Sequence, residues 1–324
     1  MNKIKVGIAG GAGYTGGELL RLLICHPATE IVFVHSRSQK GLLVSDVHTD
    51  LLGDTELKFT DTLDAKVDVV FFCLGHGESK KLISEQNFDP STKIIDLSQD
   101  FRITSPTDRP FVYGLPELNR EKISGAAYIA NPGCFATSIQ LALLPLAQKG
   151  LLRSDIHIAC TTGSTGAGQT LSESSHFSWR ESNLSVYKPF THQHLAEIHQ
   201  SLKQLQPGFN QETTMIPQRG AFTRGILSCV TLKTREDLPA LHQLYAAYYK
   251  THPFVQLSAK NIDLKQVVNT NKCILYLEKH NDQLLIISVI DNLLKGASGQ
   301  AVQNMNLLFG LEETTGLHLK ASAF

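Results

Sequence analysis

Ile4-Lys5-Val6-Gly7-Ile8-Ala9-Gly10-Gly11-Ala12-Gly13-Tyr14-Thr15-Gly16 is the stretch that decides the fold. Ile4–Ala9 is an apolar run of strand length, and the glycines follow it at once. Glu18, Leu19, Leu20, Leu22 and Leu23 then repeat with helical spacing. Strand, glycine turn and helix in that order form the phosphate-binding start of a dinucleotide fold. Glycines allow a tight turn and close approach of a pyrophosphate, and the helix N-terminus offers N–H groups and a positive dipole end. Gly10, Gly13, Tyr14, Thr15 and Gly16 are therefore candidate cofactor residues. The motif alone is common; its context makes it informative.

Further strands are expected at Ile31–His35, Val67–Leu74 and Lys93–Leu97, with helical segments around Glu18–Cys25 and Glu78–Gln86. Alternation of this kind predicts a doubly wound parallel sheet, and continuous apolar strands suit a sheet covered on both faces. After about residue 135 the pattern changes. A helix is expected over Ala136–Gln148, a strand at Ile156–Thr161 and a glycine-rich loop at Gly163–Gln169. Strands at Gly225–Lys233, Cys273–Glu278 and Leu284–Asp291, with a helix at Leu238–Tyr249, complete an α+β pattern with a mostly antiparallel sheet. The fold class is thus α/β: a Rossmann-type domain at 1–133, joined by a returning C-terminal helix at 298–324, and an α+β catalytic and oligomerisation domain at 134–297.

The second strand tests the cofactor. NAD sites place a carboxylate at its end to bind the ribose 2′-hydroxyl. Here the strand ends His35-Ser36-Arg37-Ser38-Gln39-Lys40, with no carboxylate. Arg37, flanked by Ser36 and Ser38, is suited to a 2′-phosphate, so NADP(H) is expected over NAD(H).

The chain has 324 residues, 30 Lys+Arg against 30 Asp+Glu, and zero formal net charge. That balance argues against nucleic acid as a partner. No apolar run approaches membrane-spanning length, and Val6–Ala9 is too short for the apolar part of a secretory signal. Six scattered cysteines with no Cys-x-x-Cys pair suggest a reduced, cytoplasmic protein without a zinc knuckle or redox pair. One cysteine stands apart. In Asn131-Pro132-Gly133-Cys134, a turn places Cys134 at a helix start, where the dipole favours thiolate. The other thiols read as small core residues or lack an activator. A cofactor domain plus such a cysteine implies acyl transfer to sulfur followed by hydride reduction to an aldehyde.

At this point the sequence resembles the N-acetyl-gamma-glutamyl-phosphate reductases of arginine biosynthesis. The resemblance rests on Gly11-Ala12-Gly13-Tyr14-Thr15-Gly16, Asp96-Leu97-Ser98-Gln99-Asp100-Phe101-Arg102, Tyr113-Gly114-Leu115-Pro116-Glu117-Leu118, Asn131-Pro132-Gly133-Cys134, Gly163-Ser164-Thr165-Gly166-Ala167-Gly168 and Asp291–Asn304. It implies NADPH as cofactor, Cys134 as nucleophile and a homo-oligomer, dimer or tetramer. It also implies that the acid/base lies in Thr191-His192-Gln193-His194-Leu195-Ala196-Glu197-Ile198, where His192 and His194 match the family and Gln193 and Ala196 depart from it. Read as extended chain, the two histidines point in opposite directions, so one alone meets Cys134. No metal site is expected, since no helical i, i+4 histidine pair occurs here. Arg102 and Arg219 are the expected anchors for anionic groups, and Ser164 in the glycine-rich loop is a candidate phosphate donor. By the same resemblance Leu74 and Gly75 border the cofactor, Gly75 standing where the family has Pro, and Asn292 lies on the nicotinamide side. The implied reaction is NADPH-dependent reduction of N-acetyl-γ-glutamyl phosphate to the 5-semialdehyde with release of phosphate. Alternatives are a related reductase acting on N-succinyl-glutamyl, aminoadipyl or aspartyl phosphate, or a non-catalytic NADP(H) sensor.

Overall fold

A computed structural model describes residues 3–63, 66–103 and 110–323. The chain separates into two compact units, residues 1–132 with 297–318, and residues 133–296 with 319–324.

The first unit begins with β1 (Ile4–Ala9), α1 (Tyr14–Ile24), β2 (Thr29–His35), the single turn α2 (Val44–Val47), β3 (Phe59–Thr60) and β4 (Val69–Phe72). It continues through α3 (Glu78–Glu85), β5 (Lys93–Asp96), β6 (Val112–Tyr113), α4 (Pro116–Ser124) and β7 (Tyr128–Ala130). The strands form one seven-stranded sheet in the order β3-β2-β1-β4-β5-β7-β6. Every pairing in it is parallel. This is the doubly wound order expected from strand–helix alternation. The centre of the sheet is fully buried, as its apolar runs require: Val6, Ile8, Val70, Phe71, Ile94 and Ile95 are each 0% exposed.

The second unit starts with α5 (Cys134–Gln148), β8 (Ile156–Thr162), the turn α6 (Phe177–Arg180), β9 (Ser185–Val186), α7 (His194–Leu205) and β10 (Thr213–Arg219). It ends with β11 (Ile226–Lys233), α8 (Leu238–Tyr249), β12 (Val255–Ser258), β13 (Cys273–His280) and β14 (Gln283–Ile290). The sheet order is β12-β13-β14-β11-β8-β10-β9. Only β12–β13 and β10–β8 are parallel. On one face lies α5, whose residues 135–147 are all buried. Ser138 fastens it to the sheet by donating to Ser228 Oγ at 2.9 Å and contacting Ser288 Oγ at 3.1 Å. The hydroxyls of Tyr245 and Tyr249 on α8 donate to carbonyls of α5. The opposite face carries Leu227, Cys229, Ile274, Tyr276 and Leu285, which remain partly exposed beside Ile262 and Val267.

Several elements differ from the sequence expectation. The long helix starts at Cys134 rather than Ala136. The returning segment at 298–324 carries the helix α9 at Gly299–Leu308, and residues 319–324 group with the second unit. The strand β10 is absent from the expected strands and contains Pro217, which has no N–H for the ladder. It is accommodated beside the two-residue edge strand β9. The helix α7 replaces the extended chain expected around the histidines. Its buried positions, His194, Glu197, Ile198, Ser201 and Leu202, follow an i, i+3, i+4, i+7, i+8 stripe. No helix among the described residues is long and apolar enough to cross a membrane.

Candidate active site

In the first unit the glycine loop behaves as its spacing demands. Gly10 has φ +85°, and a side chain there would stand 2.5 Å from the Cys73 carbonyl oxygen. A Cβ on Gly16 would stand 2.7 Å from the Gly11 backbone, so the turn closes on the helix only without one. At Gly13, which caps α1, a Cβ would meet nothing within 4 Å. The turn is tight on its protein side and open at the helix start, a cradle fitted to a pyrophosphate. Tyr14 and Thr15 form the first residues of that helix.

Beside this loop lies a cavity of about 270 Å³, lined by Gly10, His35, Ser36, Arg37, Ser38 and Leu74 on one side. Glu78, Lys81, Leu82 and Glu85 of α3 line the other side. Five of the sequence-derived cofactor residues are thus brought to one cavity, whereas Gly75 is exposed outside its lining. The residues fit the adenosine end of a dinucleotide. Arg37 supplies a fixed positive charge, and no carboxylate occupies the end of β2. His35, Glu78 and Lys81 were missed from sequence. The one available signal for His35 is that it ends the second strand.

Arg102 is 7% exposed. Its Nε donates to the Asn131 carbonyl at 2.9 Å and its Nη2 to the Leu97 carbonyl at 2.7 Å. Asp100, its sequence neighbour, instead accepts the N–H groups of Gly77 and Lys80 at the start of α3.

In the second unit Cys134 is the first residue of α5, half-buried. The thiol lies near Cys160 and Tyr187. Both groups are pushed up in pKa by burial, with Cys134 adding to the effect. Burial also holds Cys73 up to about 12 and raises Cys229, so these thiols stay protonated and inert.

The two histidines do not diverge. Because α7 begins at His194, the rings of His192 and His194 pack 4.5 Å apart, edge to face. Both also pack against Phe135, the residue after Cys134, with ring centroids 5.6 and 6.3 Å away. The departures from the family pattern, Gln193 and Ala196, are exposed. His192 Nδ1 accepts the His194 backbone N–H at 3.2 Å, which leaves the imidazole proton on Nε2. Burial, and then the charges of Lys188 and Arg219, depress its pKa to about 4. His194 Nε2 sits 3.8 Å from Glu197 Oε1, an ion-pair distance longer than a hydrogen bond. The other oxygen of Glu197 accepts the Gly133 N–H at 2.9 Å. Glu197, 2% exposed, was missed from sequence, although its place three residues after His194 on one helix face was available to be read.

Arg219 ends β10, with its guanidinium 4.6 Å from the Tyr187 ring centre. It pairs in register with Thr162 at the end of β8. Arg219 Nε and Thr162 Oγ1 are both buried without a hydrogen-bond partner among the described residues. Two unsatisfied polar atoms at adjacent strand ends are a local energetic cost. The loop carrying Ser164 is pinned beside them by backbone bonds from Gly163, Ser164 and Thr165 to Gly225, Phe222 and Thr223. Asn292, expected near the nicotinamide, uses its amide to hold this loop. Its Oδ1 accepts the Gly225 N–H at 2.8 Å and its Nδ2 donates to Thr165 Oγ1 at 3.0 Å.

A turn after β14 completes the arrangement. Asp291, 0% exposed, accepts the N–H groups of Leu293 and Leu294 and the guanidinium of Arg224. Gly296 N–H then reaches back five residues to the Asp291 carbonyl at 2.9 Å. A side chain on Gly296 would lie 2.8 Å from Cys134 Cβ.

Comparison with known proteins places this geometry. The family description "Semialdehyde dehydrogenase, NAD binding domain" matches residues 5–126, and "Semialdehyde dehydrogenase, dimerisation domain" matches residues 134–292. The N-acetyl-gamma-glutamyl-phosphate reductase of Parabacteroides distasonis is 58% identical over 322 residues, 99% of this chain and 100% of the relative. The chain belongs to the N-acetyl-gamma-glutamyl-phosphate reductase family. Other family members with the same coverage of both chains include those of Bacteroides fragilis, 59% identical, and Flavobacterium johnsoniae, 56% identical. Among solved structures, aspartate semialdehyde dehydrogenase II of Vibrio cholerae covers 96% of this family member and 99% of its own chain, with a TM-score of 0.75 at 18% identity. The Candida albicans aspartate semialdehyde dehydrogenase with NADP covers 95% and 99%, with a TM-score of 0.70 at 14% identity. These two likenesses establish a shared fold.

Proposed function

We propose that the chain reduces N-acetyl-γ-glutamyl phosphate to N-acetylglutamate 5-semialdehyde with NADPH and releases phosphate, as a cytoplasmic homo-oligomer in arginine biosynthesis. One observation carries this reading. The sole cysteine at the N-terminus of a long buried helix, Cys134, shares its surroundings with two histidines, a buried carboxylate and an arginine carrying an orphaned donor.

Arg219, with the hydroxyl of Ser164 on the neighbouring loop, holds the phosphate of the substrate. Cys134 Sγ attacks the acyl carbon, the bond to the phosphate oxygen breaks, and a thioester forms. His194, backed by the Glu197 carboxylate, takes the thiol proton and passes it to the departing phosphate. His192 plays a different part. It is neutral at physiological pH with its proton on Nε2, which suits it to donate a hydrogen bond to an oxyanion rather than to cycle a proton. When bound by the glycine loop and the Arg37 cavity, reduced nicotinamide supplies the hydride that takes the acyl carbon to the aldehyde level. The carbon–sulfur bond then breaks, the aldehyde leaves, and His194 returns a proton from solvent to Sγ. Arg102 acts through the Asn131 carbonyl, steadying the segment that leads to Pro132 and Gly133.

The dimerisation-domain match and the partly exposed sheet face bearing Leu227, Cys229 and Tyr276 support assembly through the second unit. Balanced net charge is no obstacle to two anionic ligands, because the positive charge is local, at Arg37, Arg219 and two helix N-termini.

The decisive assay runs in reverse. N-acetylglutamate 5-semialdehyde, phosphate and NADP⁺ are expected to give NADPH, and Cys134→Ser is expected to abolish it while NADP(H) still binds. Turnover by Cys134→Ser near the wild-type rate overturns the mechanism; preference for aspartate semialdehyde overturns the substrate.

A further inference from the structure

Arg219 lies beside a segment of the second unit that has almost no apolar core. Between Gly163 and His192, Arg180 is the one buried residue, 7% exposed. The large apolar side chains of this segment face outward: Leu171 is 96% exposed, Phe177 75% and Leu184 59%. A guanidinium gathers the chain instead. Arg180 Nη1 donates to the Arg219 carbonyl at 2.6 Å and to the Asn183 carbonyl at 3.4 Å. Its Nη2 donates to the Ser174 carbonyl and to Ser185 Oγ, both at 3.2 Å. Its Nε donates to the same Ser174 carbonyl at 3.3 Å. The Trp179 ring centre lies 4.7 Å from the guanidinium carbon. Only arginine offers donors in a rigid planar fork that reaches several acceptors at once. All of its N–H groups are used within the chain, so Arg180 can affect a ligand only through the residues it holds.

Those residues lead to the site. Ser185 pairs with Arg219 in the β9–β10 ladder. Two residues on, the Tyr187 N–H donates to the Pro217 carbonyl at 3.0 Å. The Tyr187 ring then stands 4.6 Å from the Arg219 guanidinium and 5.9 Å from the His192 ring. The backbone on this path is strained. Ser182, Lys188 and Phe190 have φ of +53°, +43° and +62°, left-handed values that side chains of this kind disfavour. Such conformations persist where surrounding contacts over-determine them, and they gather at ligand sites. We propose that Arg180 is a positioning residue: it clamps residues 174–187 to the end of β10 and thereby holds Tyr187 against the Arg219 guanidinium that receives the substrate phosphate. The inference rests on the acyl-phosphate reading above. It is a claim about geometry and not about charge. Lysine at position 180 keeps the charge but has no planar fork to span the three carbonyls, so the two are separable.

The test is the reverse assay on the full chain, with N-acetylglutamate 5-semialdehyde, phosphate and NADP⁺. Arg180→Lys and Arg180→Gln are both expected to raise the KM for phosphate about tenfold, the worth of one anchoring hydrogen bond, with a smaller fall in kcat. NADPH binding, followed by fluorescence, is expected to stay at the wild-type level, because the glycine loop and Arg37 lie in the other unit. Ser185→Ala removes one bond of the clamp and keeps Arg180. It is expected to raise the same KM about threefold, and it carries the decision if neither Arg180 variant folds. Tyr187→Leu is expected to raise the KM by itself, and adding Arg180→Gln to it is expected to bring little further rise, since both act through one contact. A wild-type KM for phosphate in Arg180→Lys, or in Ser185→Ala, overturns the inference. So does a fall in kcat alone, which marks loss of folded enzyme, and so does a double variant whose KM rises by the product of the two single effects. Absence of NADPH formation by the wild-type chain overturns instead the acyl-phosphate reading on which the inference rests.

Discussion

The Glu197 carboxylate accepts the backbone N–H of Gly133 at 2.9 Å, and so ties helix α7 to the residue immediately before Cys134. Gly133 is the N-cap of α5 and has no side chain of its own to satisfy the orphan donors of that helix. A buried side chain from 64 positions later does so instead. Glu197→Ala leaves a buried N–H without its acceptor, and the expected loss is about 1–3 kcal/mol in stability. Glu197→Gln keeps an acceptor oxygen and is expected to recover most of that stability, but it removes the charge 3.8 Å from His194. Urea midpoints measure the first effect. The second is read as a lower kcat for Glu197→Gln with KM little changed. Equal kcat for Glu197→Gln and wild type contradicts the role assigned to the His194–Glu197 pair.

Gly296 is a steric condition for the nucleophile. A Cβ there would lie 2.8 Å from Cys134 Cβ and 3.2 Å from its Cα. Neither atom has the freedom of a flexible side-chain end, so Gly296→Ala must move the first turn of α5 or the turn held by Asp291. Overpacking of this kind costs about 1–3 kcal/mol, and a displacement near 1 Å costs about 100-fold in rate. The expected variant is folded, with a modestly lower melting temperature and kcat reduced about 100-fold or more. Wild-type kcat in Gly296→Ala refutes the close approach.

Much of this was legible from residues alone, because the deciding signals were local. Ile4–Ala9 followed by glycines specifies strand, turn and helix with no reference to the rest of the chain. Leu238–Tyr249 matched its helix from Leu238 to Tyr249 through apolar spacing. Legibility failed where tertiary context overrode a local rule. The strand β10 contains Pro217, which has no N–H for the ladder, and lies beside a two-residue edge partner. His192-Gln193-His194 was read as extended chain, whereas Gln193 is already helical and the two rings meet. Glu197 and Thr162 escaped notice for another reason. The spacing of Glu197 from His194 is readable, but its bond to Gly133, 64 positions earlier, leaves no pattern in the chain, and neither does the lack of a partner at Thr162.

Among the described residues, Arg37 is the only cation lining the β2 side of the cofactor cavity. The Ser36 and Ser38 hydroxyls flanking it lie 3.4 Å apart. Charge-assisted hydrogen bonds to a phosphate contribute about 1.5–3 kcal/mol. Arg37→Ala is therefore expected to weaken NADPH binding about ten- to hundredfold and leave NADH binding nearly unchanged. Fluorescence titration of each reduced cofactor measures this, and the loss is expected to shrink with added salt. Parallel weakening of NADPH and NADH would show that Arg37 supports the loop rather than the 2′-phosphate.

The buried, neutral His192 gives stability a pH dependence whose sign can be worked out. Its pKa is about 4 in the folded chain and near 6.5 when exposed by unfolding. Above 6.5 neither state carries the proton, and His192 contributes no slope. Between about 6.5 and 4 the unfolded chain binds the proton and the folded chain does not, so stability falls as the pH falls. Below about 4 both states are protonated and the slope vanishes. His26, His35 and His199 are shifted the same way by burial, so wild type is expected to lose stability across this window through several groups. His192→Gln removes one of them. The stability difference between this variant and wild type is expected to change progressively in the variant's favour from pH 6.5 to 4, and to stay constant from pH 7 to 8. Urea midpoints at half-unit intervals supply the comparison. A difference independent of pH throughout would mean that His192 keeps its ordinary pKa in the folded chain and is free to cycle a proton, which would remove the reason for assigning proton transfer to His194.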